Sequence, residues 1–186
     1  GVDAFPIVLS TQNVDEIVET VARIAPTFGG INLEDIAAPR CFEVEARLKE
    51  RLDIPVFHDD QHGTAMVVLA GLLNALKVAK KNIATVRTVI AGAGAAGHAI
   101  ADLLLLAGAR DIVVLDSKGI LSKERNDMDI PKKALLAETN PRNISGGIDE
   151  ALLGADVFIG VSKGNTVTRA QVASMADNAI VFALAN

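Results

Sequence analysis

Residues 86–116, VRTVIAGAGAAGHAIADLLLLAGARDIVVLD, decide the fold class of this chain. The stretch opens with an apolar run at residues 88–91, which has the length and composition of a β-strand. Gly92, Gly94 and Gly97 follow with the spacing G-x-G-x-x-G, and a segment of helical period comes next. A second apolar run then ends in an aspartate, so the stretch predicts a strand–helix–strand unit that opens on a glycine-rich turn.

Each part of this unit has a physical role in binding a dinucleotide. Gly92 allows the tight turn, Gly94 lets the backbone approach a pyrophosphate, and Gly97 lets helix and strand pack closely. The helix N-terminus offers N–H groups to phosphates, and Asp116, 24 residues after Gly92, is placed to accept hydrogen bonds from a ribose. The alternative is a glycine-rich turn that binds nothing. The residues expected to bind the cofactor are Gly92, Ala93, Gly94, Ala95, Ala96, Gly97, Asp116, Ser117, Lys118 and Ser162.

Strand-like and helix-like segments alternate along the rest of the chain. This βαβ spacing predicts an α/β fold with doubly wound parallel sheets and a Rossmann-type nucleotide-binding domain. The stretch 117–131 is polar and is predicted as a loop, whereas residues 64–78 are apolar nearly all round and predict a buried helix. The expected strands are residues 5–9, 31–33, 54–57, 88–91, 112–115, 156–161 and 180–184.

Composition excludes several classes of protein. Half of the 186 residues are apolar, mostly small aliphatics, which suits parallel strands covered by helices. The net charge of −5 comes without a basic stripe, which argues against a nucleic-acid partner. One cysteine suits a reducing compartment, and polar residues interrupt the apolar runs before they reach membrane-spanning length. We therefore expect a soluble cytoplasmic protein with no membrane partner.

Two pairs of acids follow two short strand-like runs. Glu34 and Asp35 come after the first run, and Asp59 and Asp60 come after the next. Because carboxyl ends of parallel strands share one edge of a sheet, the four side chains can meet. Gathered carboxylates repel one another unless a cation intervenes, and all-oxygen ligands suit Mg²⁺ or Mn²⁺. The alternatives are solvated loop acids, or helix caps at Asp35 and Asp60.

The remaining candidates for chemistry favour structural roles. His58 and His62 are four residues apart, but they straddle a strand-to-helix corner and are interpreted as loop or capping residues rather than zinc ligands. His98 is interpreted as a packing or surface residue, and Cys41 as a small buried hydrophobe. A group of lysines is interpreted as solvated surface, although one of them could pair with a 2′-phosphate; they are Lys118, Lys123, Lys132 and Lys133.

Three segments of the sequence resemble the malic enzyme family, and the glycine loop fits the same family. They are residues 28–35, FGGINLED; residues 55–65, PVFHDDQHGTA; and residues 182–186, FALAN. The resemblance covers essentially the whole chain and is greatest to the shorter prokaryotic form. It implies oxidative decarboxylation of malate to pyruvate and CO₂, with NAD as cofactor, NADP as the other option, and Mg²⁺ or Mn²⁺ as metal.

The resemblance also implies an organisation and roles for individual residues. Residues 1–60 would be part of the substrate- and metal-binding domain, residues 61–186 the NAD(P)-binding domain, and the protein a homodimer or larger homo-oligomer. By motif, Glu34, Asp35 and Asp60 would be metal ligands, Asp59 a catalytic carboxylate beside the substrate, and Asn186 a contact to malate.

The sequence departs from the family in its proton donor. The family's general acid is a tyrosine assisted by a lysine, and this chain contains no tyrosine. That pair and an arginine for the substrate carboxylate are expected upstream, and a further asparagine loop downstream. We therefore expect a fragment that binds NAD(P), and Mn²⁺ as well, without turning over malate.

Cofactor preference and two competing functions stay open at this stage. Asp116 favours NAD because its charge repels a 2′-phosphate, while Ser117 and Lys118 can soften that bias. One competing function is a metal-free NAD(P) dehydrogenase whose acid pairs are structural. The other is a non-catalytic module that senses a dinucleotide.

Overall fold

The computed structural model describes residues 1–185 and forms two compact units, Gly1–Asp59 and Asp60–Asn186. Asn186, which is predicted to contact malate, lies outside the described residues. In chain order the elements are α1 Val14–Ile24, β1 Ile31–Leu33, α2 Arg40–Arg51, β2 Val56–His58, α3 Thr64–Ala79, β3 Arg87–Ala91, α4 Ala95–Leu106, β4 Asp111–Asp116, β5 Gly119–Ile120, α5 Ile130–Glu138, α6 Ile148–Leu152, β6 Val157–Gly160, α7 Arg169–Ala173 and β7 Ile180–Ala183. A 3₁₀ turn, Ala25–Thr27, follows α1, and a π-helical turn, Asp59–Gly63, precedes α3.

The first unit packs α1 and α2 on a two-stranded parallel sheet. Strands β1 and β2 pair in the register Ile31↔Val56 to Leu33↔His58. Their inward side chains meet the apolar faces of both helices in one cluster. The buried members of that cluster are Ile17, Val18, Val21, Leu33, Val44, Leu48 and Val56.

The strand predicted at residues 5–9 is wrong. These residues adopt no regular structure, and side chains such as Val8, 93% exposed, face solvent. Apolar composition satisfies one requirement of a strand, but a strand also needs a neighbour for its N–H and C=O groups. Neither β1 nor β2 pairs with this segment.

The second unit is built on a five-stranded sheet with the order β5-β4-β3-β6-β7. Strands β3, β4, β6 and β7 are parallel, and β5 pairs antiparallel with β4. Strand β5 lies in the stretch predicted as a polar loop, so that prediction is wrong there. Ile120 and Leu121 are buried, yet they are too few to create a period-two pattern in the sequence.

Alternate side chains of this sheet enter two separate cores. Ile90, Val114 and Ile159 face the core formed with α3, α4 and α5. Val89, Val113 and Phe158 face the other core, formed with α6 and the segment around α7. Helices on both faces of a mainly parallel sheet confirm the α/β, doubly wound, Rossmann-type fold class.

Helix α3 is buried on one side only, which corrects the prediction of a fully buried helix. Ala65, Val68, Leu72 and Leu76 enter the core against α4, whereas Val67 on the other side is 71% exposed. By length and composition alone, the helical segment Asp59–Ala79 is apolar enough to cross a membrane. This differs from the expectation that polar residues interrupt every apolar run before membrane-spanning length, but one such helix is weak evidence for a membrane span, since core helices pass the same test.

Candidate nucleotide-binding site

The strand order creates a crevice beside β3. The chain runs from β3 to β4 on one side and later returns to β6 on the other side of β3. At such a reversal the loops after two neighbouring parallel strands diverge and leave a crevice at their carboxyl ends, where ligands of open α/β sheets bind. The glycine loop follows β3, and Ser162 follows β6, so both of these predicted cofactor contacts border the crevice.

Each glycine of the loop meets a different steric demand. A Cβ on Gly97 would lie 1.7 Å from the carbonyl oxygen of Gly92, so helix α4 is packed on the turn as only glycine permits. Gly92 has φ +136°, and a Cβ there would meet Val161 at 3.1 Å. A Cβ on Gly94 would meet no atom within 4 Å, which means that this side of the loop is open. The loop is therefore tight against the protein and accessible toward the crevice.

Helix α4 begins at the open side of the loop. Gly94 is its N-cap and provides no side-chain cap, so the N–H groups of the first turn remain for a ligand. Nδ1 of His98 lies 2.9 Å from the Gly94 carbonyl oxygen, which makes it a donor to the loop backbone. The interpretation of His98 as packing or surface is thereby refined, because its ring steadies the loop that it follows.

A cleft of about 280 Å³ lies in the second unit beside this loop. Asp60 lines it from the π-helical turn, Thr64 from the start of α3 and Ala96 from the first turn of α4. Val161 and Ser162, which follow β6, and Leu184 and Ala185 complete the lining. The cleft combines a helix N-terminus with hydroxyl, carboxylate and small apolar side chains. Such a lining suits a ligand that has both phosphate and ring groups.

Asp116, predicted to accept the ribose, is enclosed by cations. Its Oδ1 accepts from Arg125 Nη1 at 2.8 Å and from the Lys118 N–H at 2.9 Å. Its Oδ2 accepts from Arg125 Nη2 at 3.0 Å and from Lys132 Nζ at 2.9 Å. Burial by itself raises the pKa of Asp116, but these hydrogen bonds outweigh burial and bring it to about 2.

Sequence reasoning missed Arg125 and its second partner, Asp127. Arg125 Nε donates to Asp127 Oδ1 at 2.9 Å, and Lys118 Nζ pairs with Asp127 Oδ2 at 2.8 Å. No fixed spacing links these residues, since they are brought together by the β4–β5 pairing inside the stretch predicted as a loop. The interpretation of Lys132 as solvated surface is also wrong, because its ammonium group pairs with Asp116.

The first unit places two of the four predicted acids, Glu34 and Asp59, directly after its two paired strands. The register pairs Leu33 with His58, so Glu34 and Asp59 follow the carboxyl ends of adjacent parallel strands. Glu34 accepts from the Asn32 amide at 3.0 Å, and Asp35 has φ +56°, which turns the chain sharply. Carboxylate oxygens in such a set match the ligands preferred by Mg²⁺ and Mn²⁺.

Two further observations concern metal ligands and the histidines. Within residues 1–185 the structure gathers no group of three or more His, Cys, Asp and Glu side chains that could hold a metal ion. His58 ends β2 and is fully buried, so its interpretation as a loop histidine is wrong, whereas Cys41 is buried as expected. His62 lies in the π-helical turn, a form often found at functional sites.

Two family models match this chain. The model "Malic enzyme, NAD binding domain" matches residues 61–186, and "Malic enzyme, N-terminal domain" matches residues 9–49. The first match contains the glycine loop, the crevice and the Asp116 cluster. The second contains Glu34 and Asp35.

Similar proteins extend these matches over the whole chain. The chain is 53% identical to an NAD-dependent malic enzyme of Geobacillus stearothermophilus, covering 39% of that protein. It is 45% identical to an NADP-dependent malic enzyme of Escherichia coli K12, covering 24%. It also matches the crystal structure of an NAD-dependent malic enzyme from Thermotoga maritima with a TM-score of 0.95 and 47% identity, covering 50% of that chain. The chain thus spans half or less of the length of each.

Proposed function

Because this chain belongs to the malic enzyme family, as its resemblance predicted, we propose that it holds the cofactor- and metal-binding parts of an enzyme that oxidatively decarboxylates malate to pyruvate and CO₂ while reducing NAD(P). The observation that carries the proposal is the glycine loop. It is closed against the protein at Gly97 and open at Gly94, in a chain 53% identical to an NAD-dependent malic enzyme.

Residues 61–186 bind the dinucleotide in this proposal. The pyrophosphate lies at the N-terminus of α4, where the backbone of residues 93–97 and the helix dipole offset its charge. Ser162 approaches from the end of β6, and Asp116, Ser117 and Lys118 are at the adenosine ribose. Malate binds beside the nicotinamide, so that its C2 hydrogen is within reach of the hydride acceptor.

Residues 1–60 provide the acids of the reaction. We propose Glu34, Asp35 and Asp60 as ligands of Mg²⁺ or Mn²⁺, with Asp59 as a further carboxylate beside the substrate and Asn186 as a contact to malate. Support comes from the oxygen donors and from the β1–β2 register, which puts acids after both strands. A divalent cation supplies Lewis acidity toward the substrate hydroxyl and the later ketone oxygen.

Proton transfer to the product requires a positioned acid, which this chain does not supply as tyrosine. We propose that the tyrosine and lysine of the family belong to the part of the enzyme that this chain does not span. The whole protein then acts in the cytoplasm as a homodimer or larger homo-oligomer. The single cysteine supports the reducing compartment.

The metal assignment is tested on the full-length enzyme. Exhaustive chelation removes malate-dependent NAD(P)H formation, and added Mn²⁺ restores it, whereas NADH binding persists. Asp60→Asn and Glu34→Gln weaken Mn²⁺ binding measured by calorimetry, while Glu43→Gln, an exposed acid on α2, leaves it unchanged. Activity that survives chelation would instead indicate a metal-free dehydrogenase.

A further inference from the structure

Asp116 has no acceptor capacity left for a ribose hydroxyl. A carboxylate offers about four lone-pair sites to hydrogen-bond donors. Four donors already occupy them, two on each oxygen: Arg125 Nη1 and the Lys118 N–H on Oδ1, and Arg125 Nη2 and Lys132 Nζ on Oδ2. The side chain is only 10% exposed. A ribose 2′-hydroxyl can therefore donate to Asp116 only by displacing one of these donors.

Arg125 is equally committed. A guanidinium has five N–H donors, and here each has an acceptor. Besides the two bonds to Asp116, Nε and Nη2 reach the two Asp127 oxygens at 2.9 and 3.1 Å, and Nη1 reaches the Gly119 carbonyl at 3.1 Å. Arg125 is thus a fixed bridge between two carboxylates and has no donor to offer to a ligand.

Donor capacity remains on two lysines. Each ammonium has three donors; that of Lys132 pairs with Asp116, and that of Lys118 pairs with Asp127. The Lys118 side chain is 65% exposed and that of Lys132 is 26% exposed. Three cations, Lys118, Arg125 and Lys132, pair with only two carboxylates, Asp116 and Asp127. The neighbouring Asp129 is directed to the backbone as the N-cap of α5.

We infer that Arg125 is a positioning residue that saturates Asp116, so that the ribose end of the nucleotide site accepts a 2′-phosphate, held by Lys118 and Lys132, as well as a ribose without one. The inference rests on the proposed NAD(P) function of this site and deepens it. It revises the preference for NAD, which depended on an uncompensated carboxylate at Asp116. Arg125 sets selectivity by cancelling that charge, not by contacting the phosphate.

The test compares NADPH with NADH in fluorescence titrations of the full-length protein. The wild type binds both nucleotides with dissociation constants within about tenfold of each other, and only the NADPH constant rises steeply with salt. Arg125→Gln returns a negative charge and free acceptor sites to Asp116. NADPH affinity then falls by about tenfold or more relative to NADH affinity, which is equal or improved.

Two further variants separate charge from structure. Arg125→Lys keeps one cation but not the five-donor fork, so it restores most of the NADPH to NADH ratio if charge is decisive. Arg142→Gln is the matched control. Arg142 pairs at 2.7 Å with Asp111, which begins β4, whereas Asp116 ends that strand. That variant leaves the ratio unchanged.

The outcomes distinguish this inference from the proposed function. If Arg125→Gln weakens NADH and NADPH equally and Arg125→Lys does not restore the ratio, Arg125 is only structural and the inference is overturned. A wild type that binds NADH but excludes NADPH also overturns it, with NAD-dependent function intact. A wild type that binds neither nucleotide overturns the proposed function itself.

Discussion

The two sides of the proposed nucleotide site keep their shape by different means. On the phosphate side, the glycine loop is fixed by backbone packing, with Gly97 against the Gly92 carbonyl. On the ribose side, Asp116 and Arg125 are fixed by ionic hydrogen bonds inside residues 116–132. The glycine loop follows β3, and Asp116 ends the neighbouring parallel strand β4 of the same sheet.

This contrast separates general binding from selectivity. NAD and NADP share the same pyrophosphate, so the glycine loop can be sterically strict without choosing between these cofactors. NAD and NADP differ only at the 2′ position, where a charged network can be adjusted by one side chain. Substitutions on the ribose side are therefore expected to change the relative affinity for NAD and NADP. Substitutions on the phosphate side are expected to weaken both affinities equally.

Gly97→Ala is expected to have the largest effect. The added Cβ would lie 1.7 Å from the Gly92 oxygen, so the loop and α4 must separate. Overpacking of this kind costs about 1–3 kcal/mol of stability. Dissociation constants of NADH and NADPH should rise together by about tenfold or more, measured by fluorescence titration.

Gly71→Ala provides the control for that variant. Gly71 lies in α3 of the same unit, and its added Cβ would make an ordinary 3.4 Å contact with the Phe182 ring. Thermal unfolding and nucleotide affinity should both stay near the wild type. If Gly97→Ala weakens the affinities for NADH and NADPH unequally, the phosphate side also discriminates between the two cofactors. The proposed difference between the two sides would then be wrong.

Asn140→Ala is expected to destabilise the segment that supports the ribose side of the site. The buried Asn140 amide donates to the carbonyls of Leu121 and Ile144 and accepts from the Ile144 N–H. Its removal leaves buried backbone groups without partners, at about 1–3 kcal/mol in the free energy of unfolding. Denaturant unfolding measures this loss.

Asn143→Ala is the matched control, since Asn143 is also left-handed, with φ +49° against +52°, but is exposed. Asn143→Ala also places an alanine at a left-handed position, but it removes no buried side-chain hydrogen bonds. If the two substitutions destabilise the protein equally, the loss comes from the left-handed backbone conformation, and the hydrogen bonds of the Asn140 amide do not contribute to stability.

A pH-dependent effect at Asp116 is expected to be the smallest. Its pKa of about 2 in the folded state lies below the ordinary 3.8, so its contribution to stability is complete above about pH 4 and declines toward pH 2. The difference in unfolding free energy between wild type and Asp116→Asn should therefore shrink over that range. Partial burial raises the pKa of Asp102, so the same comparison with Asp102→Asn should change in the opposite direction.

The phosphate side could be predicted from sequence because its determinants are local. Gly92, Gly94 and Gly97 occupy fixed positions in a continuous strand–turn–helix, where Gly92 and Gly97 have the expected steric roles and Gly94 is open. The two acid pairs could also be found, since each follows a strand-like run. Periodicity and residue type contain this information directly.

The ribose side could not be predicted because its determinants are tertiary. Arg125 reaches Asp116 only after β5 folds back on β4, and the two-residue strand has no readable period. The same limit explains residues 5–9, whose apolar pattern contains no information about a neighbouring strand. Local patterns identify most of the helices and strands, but side chains that pair across turns are brought together only by the tertiary structure.

The central claim, that this chain binds the cofactor but lacks the proton donor, is tested most directly on the 186-residue chain itself. NADH binding and malate-dependent NAD(P)H formation are measured on one preparation with Mn²⁺ present. We predict saturable NADH binding and no turnover of malate. Malate oxidation at a rate typical of enzymes would contradict the claim, as would a folded chain that binds no NADH.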